Sequence, residues 1–141
     1  MTLDGSGIVL ASNSASRKAM LEAAGIAFTA RGADIDERAL ENEVDGAEPA
    51  EIAQALAAAK AAAVSSALPD DLVLGSDSLV EVDGRRFDKP ASRADAADHL
   101  RAFSGKVMTL HSAAALARGS QILWIGSDFA RLRVRDLSAA F

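Results

Sequence analysis

The chain has 141 residues, half of them hydrophobic and a quarter charged, with a net charge of −5. This is the make-up of a single soluble domain large enough for a real core. The acidic balance argues against a protein that coats nucleic acid, and the lack of cysteine excludes disulfides, thiol catalysis and cysteine-held metal. The alanine-rich run Ala53–Leu68 is broken by Gln54, Lys60, Ser65 and Ser66, so no membrane span is expected. The opening MTLDGSG lacks the basic and apolar parts of a secretory signal, and a cytoplasmic protein is expected. Alanine abundance reads as genome composition rather than function.

Ile8, Val9 and Leu10 read as a first buried strand. Ala11-Ser12-Asn13-Ser14 leads into a helix over Ala15–Ala24, with Ser14 as N-cap, Gly25 as stop, and Ala19, Met20, Ala23 and Ala24 facing inward. A strand, a small polar turn and a helix N-terminus together form a natural anion site. Arg17 and Lys18 in the first turn oppose the dipole. Either they are surface charge, or Arg17 grips a phosphate bidentately.

Ile26–Ala33 reads as a second strand anchored by Phe28, and the acidic run Asp34–Glu48 as a solvated loop. Pro49 opens the next helix, with Ile52, Leu56, Ala59, Ala63 and Val64 as its buried stripe. Lys60 falls on or beside that stripe, where it either snorkels to water or points into a pocket.

The stretch Leu72–Pro90, LVLGSDSLVEVDGRRFDKP, is central. Leu72–Leu74 reads as a buried strand, apolar residues resume at Leu79, and Asp83-Gly84 is a hairpin turn that carries Asp88, Lys89 and Pro90 back. Asp77 lies between two serines. It is either a turn or strand-end aspartate, or a carboxylate that holds a metal or accepts a proton, since a buried acid needs a partner.

Ser92 caps a helix to about Phe103, with Ala96, Ala97, Leu100 and Phe103 inward and His99 read as a surface residue. Val107–Ala117 and Gln121–Val134 form a hairpin around Arg118-Gly119-Ser120, and Ser138–Phe141 reads as the first turn of a helix. His111 stands alone, without histidine-metal spacing. The order of elements implies an α/β domain with a mixed sheet. There is no G-x-G-x-x-G and no Walker loop, so any chemistry must come from the carboxylates, the lysines and Arg17.

Six segments in register resemble the Maf family: Leu10–Arg17, Asp34-Ile35-Asp36-Glu37, Ala59-Lys60-Ala61, Gly75-Ser76-Asp77, Asp88-Lys89-Pro90 and Phe103-Ser104-Gly105. The resemblance implies a mixed α/β fold shared with inosine triphosphate pyrophosphatases, with two lobes around a nucleotide cleft. It implies a nucleoside triphosphate pyrophosphatase that releases a monophosphate and pyrophosphate with a divalent metal, Mg²⁺ or Mn²⁺, and often a homodimer. It makes Asp77 the catalytic carboxylate and a metal ligand, and Glu37 its partner at the metal. Ser12, Ser14, Arg17, Lys60 and Lys89 become substrate-binding residues, and Ser16 and Ser78 occupy the positions tied to base specificity. Neither serine matches the members acting on thymidine and uridine triphosphates or those acting on 7-methyl-GTP. Gly75-Ser76 and Met108 lean towards the latter, and the base stays open. Family members continue past the point where this chain ends. The expectation is therefore a single Maf-like domain over 1–141 lacking the family's C-terminal part, either a fragment or a short member. The alternative is a non-catalytic Maf-like nucleotide-binding or regulatory protein of cell division, inactive through its short C-terminus.

Overall fold

A computed structural model describes residues 7–140. The opening stretch read above for a signal, and Phe141, lie outside the described residues apart from Gly7. The elements are β1 (Ile8–Leu10), α1 (Ala15–Ala23), β2 (Phe28–Ala30), α2 (Glu37–Glu43), α3 (Pro49–Ala67), β3 (Val73–Val82), β4 (Arg85–Phe87), α4 (Arg93–Phe103), β5 (Val107–Arg118) and β6 (Gln121–Arg133). The strands form one mixed sheet in the order β2-β1-β3-β5-β6, with β4 also on β3. β1 runs parallel to β2 and β3, and the other pairings are antiparallel. The α/β class with a mixed sheet is therefore as expected.

Strand β3 organises the rest. β5 covers one edge of it from Val73 to Glu81. The other edge is shared: β1 pairs with Val73 and Leu74, and β4 with Val80 to Val82. Between them, among the described residues, Gly75–Leu79 has no strand on this second edge, and Asp77 sits in the middle of the gap. Of the two readings left open for Asp77, the turn or strand-end aspartate is excluded: β5 pairs straight through Gly75–Ser78, and Asp77 is a mid-strand residue. The turn after β3 is as expected. Asp83 and Gly84 both take positive φ, 53° and 75°, the combination of a type I′ hairpin.

Helix α3 covers one face of the sheet. Its buried residues are Ile52, Ala53, Leu56, Ala57, Ala61, Val64 and Ser65, and all of these but Ser65 pack with Val9, Val73, Ala113, Ala115 and Ala117 into one core. The expected stripe was partly misplaced: Ala59 and Ala63 are only half-buried, and Ala53, Ala57 and Ala61 take the inner positions. The alanines have a structural use that composition did not suggest. Small side chains on both surfaces let α3 lie so close to β3 that a Cβ on Gly75 would fall 2.2 Å from the Ala57 carbonyl oxygen. Buried Ser65 accepts a hydrogen bond from the Ser120 backbone N–H at 2.9 Å, pinning the β5–β6 turn to α3.

Other expectations need correction. In α1, Ala19, Met20, Ala23 and Ala24 are exposed, and Arg17, Lys18 and Leu21 are half-buried. A stripe made mostly of alanine buries too little area to fix the helix rotation. β2 is shorter than expected, and the acidic run contains α2, whose N-cap Asp36 accepts from the Ala39 N–H at 3.0 Å. The described part of Ser138–Phe141 is a turn, not a helix. His99 is not a surface residue; its ring meets Phe87 edge-on at 5.1 Å.

Gly75→Ala is expected to cost about 1–3 kcal/mol, because the clash is with backbone that must move. A urea titration would read this as a lower midpoint at unchanged slope.

Candidate functional site

The gap on β3 places Asp77 on the α3 face of the sheet, opposite Ala113 of β5. Ala113 adds no bulk there, and Lys60 reaches in from the adjacent turn of α3. Its ammonium donates to Asp77 Oδ1 at 2.9 Å and lies 2.7 Å from Glu37 Oε1. Glu37 arrives at the start of α2, oriented by the Asp36 cap. Only 14% of the Lys60 side chain and 11% of the Asp77 side chain is exposed, whereas Glu37 is half exposed. The lysine thus neither snorkels to water nor caps a surface; it ties together two acids from elements far apart in the chain.

Burial pushes the Asp77 carboxyl above its ordinary 3.8, and Glu37 adds to the push. The Lys60 hydrogen bond and charge, and more distantly the Arg17 charge, pull the other way without cancelling it. Burial also disfavours the charge on Lys60. Its hydrogen bonds and charge interactions with Glu37 and Asp77 outweigh this and hold the ammonium above its ordinary 10.5.

Asp77 Oδ2 is buried and has no hydrogen-bond partner. A buried carboxylate oxygen left bare is costly, and a hydrogen-bond donor or a cation would satisfy it. Among the described residues no group of three or more His, Cys, Asp or Glu could hold a metal by itself. Two carboxylates nonetheless suit Mg²⁺, which takes one or two of them and completes its shell with water and phosphate oxygens. The residues present fit that ion.

Two cavities open on either side. The larger, about 780 Å³, has Glu37, Asp77, Ser78 and Lys89 at its polar end and Phe87, His99 and Phe103 at its apolar end. That size is within the range of small-molecule sites. The smaller, about 140 Å³, is lined by Ser12, Asn13, Glu37 and Lys60. Buried Ser12 accepts from the Ser14 N–H at 3.0 Å, and Ser14 caps α1 by accepting from the Arg17 N–H at 3.3 Å.

The structure thus joins Glu37, Lys60 and Asp77 in direct contact. It sets Ser12 in the adjoining hollow and Lys89 and Ser78 on the wall of the larger cavity. Arg17 stands within charge reach of Asp77, on α1, while Ser14 and Ser16 bond to each other at 3.0 Å and line neither cavity. Sequence reasoning missed the aromatic end. His99 and Phe103, four apart on α4, face Phe87 from the β3–β4 hairpin, a spacing that signalled a shared helix face. It also missed Arg86, which pairs with Glu41 at 3.2 Å and ties α2 to β4.

The fold is an α/β domain with a buried acid, a buried lysine and a half-exposed second acid gathered at an open strand edge. Residues 7–141 match the family described as Maf-like protein, and the chain belongs to that family. It is 46% identical over 136 residues to a 7-methyl-GTP pyrophosphatase of Rhizobium meliloti (strain 1021), covering 95% of this chain and 68% of the relative. It is 44% identical over 131 residues to a nucleoside triphosphate pyrophosphatase of Nitrobacter hamburgensis, covering 93% and 65%. A similar protein of the same name from Rhodopseudomonas palustris (strain BisB18) is 45% identical over 133 residues, covering 94% and 66%. The chain spans about two thirds of the length of these relatives.

Because the folded value of Asp77 lies above the unfolded one, its contribution to stability is complete below pH 3.8 and fades as pH rises through the folded value. A ¹³C titration of the Asp77 carboxyl is expected to give a midpoint above 3.8. In Lys60→Met, which removes the chief downward pull, the midpoint is expected to move higher still.

Proposed function

We propose that the protein hydrolyses a nucleoside triphosphate between the α- and β-phosphates, releasing a nucleoside monophosphate and pyrophosphate. The observation that carries this reading is the Asp77–Lys60–Glu37 cluster, in a chain belonging to a family whose relatives are named for this activity. Glu37 and the bare oxygen of Asp77 would hold Mg²⁺ or Mn²⁺. When bound, that ion would neutralise phosphate charge and acidify a bound water.

The chain's own groups divide the remaining work. Asp77 orients the water and takes its proton as the water oxygen attacks the α-phosphorus. The bond from that phosphorus to the α,β-bridging oxygen breaks, and its electron pair leaves with pyrophosphate. Lys60, Lys89 and Arg17 offset the charge that builds on the leaving group. Ser12 and Asn13 line the smaller hollow, where the phosphates would lie near the N-terminus of α1. Burial of Asp77 and Lys60 keeps bulk water from screening these charges.

The base sits at the aromatic end of the larger cavity in this reading, with Ser78 on its wall; Ser16, the other expected specificity position, does not line that cavity. 7-Methyl-GTP is the first substrate to test, because a methylated base carries positive charge and Glu41 and Asp88 line that cavity. A cytoplasmic location suits an enzyme of free nucleotides, and net charge −5 speaks against nucleic acid as a partner. No helix among the described residues is long and apolar enough to cross a membrane. A homodimer belongs to the same reading. Leu123, Trp124, Phe129 and Leu132 on edge strand β6 are exposed and offer apolar area for a second copy.

Pyrophosphate release should be measured for 7-methyl-GTP, dTTP, UTP and the common triphosphates, with Mg²⁺ and with EDTA. Metal-dependent release is expected, and Asp77→Asn is expected to lower kcat by about 10²–10⁴-fold with an unchanged far-UV circular dichroism spectrum. A folded wild-type protein that binds nucleotide but releases nothing would instead identify a non-catalytic binding protein.

A further inference from the structure

We infer that Lys60 is the resident cation of the acid pair and makes the metal site conditional on the triphosphate: its ammonium holds both carboxylates and opposes an ion there until phosphate draws it away. The inference rests on the proposed function and concerns the order in which the site is filled.

Lys60 Nζ lies 2.9 Å from Asp77 Oδ1 and 2.7 Å from Glu37 Oε1. A Mg²⁺ or Mn²⁺ ion held by the same two carboxylates would lie beside the ammonium, and two cations that close, shielded from bulk water, repel each other strongly. Without either cation, Glu37 and Asp77 would face each other unshielded beside the buried, unpartnered Asp77 Oδ2. One cation is needed, and a second is opposed.

The cavities show where the lysine can go. Lys60 lines the small hollow that also holds Ser12 and Asn13 of the β1–α1 turn. A triphosphate bound at that turn offers the ammonium several oxygens in place of two, within reach of its flexible four-carbon stem. Once Lys60 turns to the phosphates, Glu37 and Asp77 are free for an ion. Nucleotide and metal then favour each other's binding, and by linkage the coupling is the same in both directions. Lys60 is in this respect a positioning residue for the ion, in addition to its contact with phosphate.

The test uses Mn²⁺ alone, followed by its electron paramagnetic resonance signal, on wild type, Lys60→Met and Lys60→Arg. Wild type and Lys60→Arg are expected to bind Mn²⁺ weakly, and Lys60→Met at least tenfold more tightly. Mn²⁺ is also expected to raise the melting temperature of Lys60→Met more than that of wild type. Calorimetry with the α,β-methylene analogue of GTP in EDTA is expected to show binding to wild type and none to Lys60→Met. Equal Mn²⁺ affinity in wild type and Lys60→Met would overturn the inference. If Lys60→Met does not fold, Lys60→Gln replaces it in the same titration. Binding of the analogue to wild type together with equal Mn²⁺ affinities would sink the inference and leave the proposed function standing. No binding of any nucleotide analogue to wild type, with or without Mn²⁺, would remove both.

Discussion

The site depends on one ion-pair cluster: a lysine from α3 held between an aspartate in the middle of β3 and a glutamate at the start of α2. Burying a lysine and an aspartate is expensive unless they satisfy one another. Here the cluster is tolerated because it lies at an open strand edge. One oxygen of Asp77 is nevertheless left without a partner, and half of Glu37 faces water. Stability alone does not explain such an arrangement. The proposed exchange of the internal cation for an external one would account for it.

The backbone around it is arranged to the same end. β1 and β4 meet the same edge of β3 at its two ends, and the space between them is where a ligand can reach Asp77 from the side. α3 must come very close for a lysine stem to span to that edge. Gly75 and the paired alanines of α3 and β5 permit this approach. The core packing and the site geometry are therefore one constraint, and a methyl group added at Gly75 would disturb both.

Much of this was legible in the residues. Ile8–Leu10, the Ser14 cap, the Pro49 helix start, the Asp83-Gly84 turn and the Ser92 cap are local signals, and each lies where local chemistry puts it. What failed was whatever depends on distant partners. Asp77 reads as a possible turn residue because glycine and serine flank it, yet β5 forces a continuous strand through that segment. The inward face of α1 was misread, because a stripe made largely of alanine carries little burial energy to set a rotation. Lys60 was ambiguous because its two acids lie 23 and 17 positions away in the chain, and no period reports contacts of that range. His99 was misjudged for the same reason: its packing partner Phe87 comes from another hairpin. The family resemblance supplied Glu37, which no local pattern singled out from its acidic neighbours.

The most direct measurement is a crystal structure of the protein with Mn²⁺ and an α,β-methylene nucleoside triphosphate, using the manganese anomalous signal. The account requires an anomalous peak within coordination distance of Asp77 and Glu37, with the Lys60 ammonium moved onto a phosphate oxygen. A nucleotide seated elsewhere, or Lys60 still bridging the two acids beside a bound triphosphate, would contradict it.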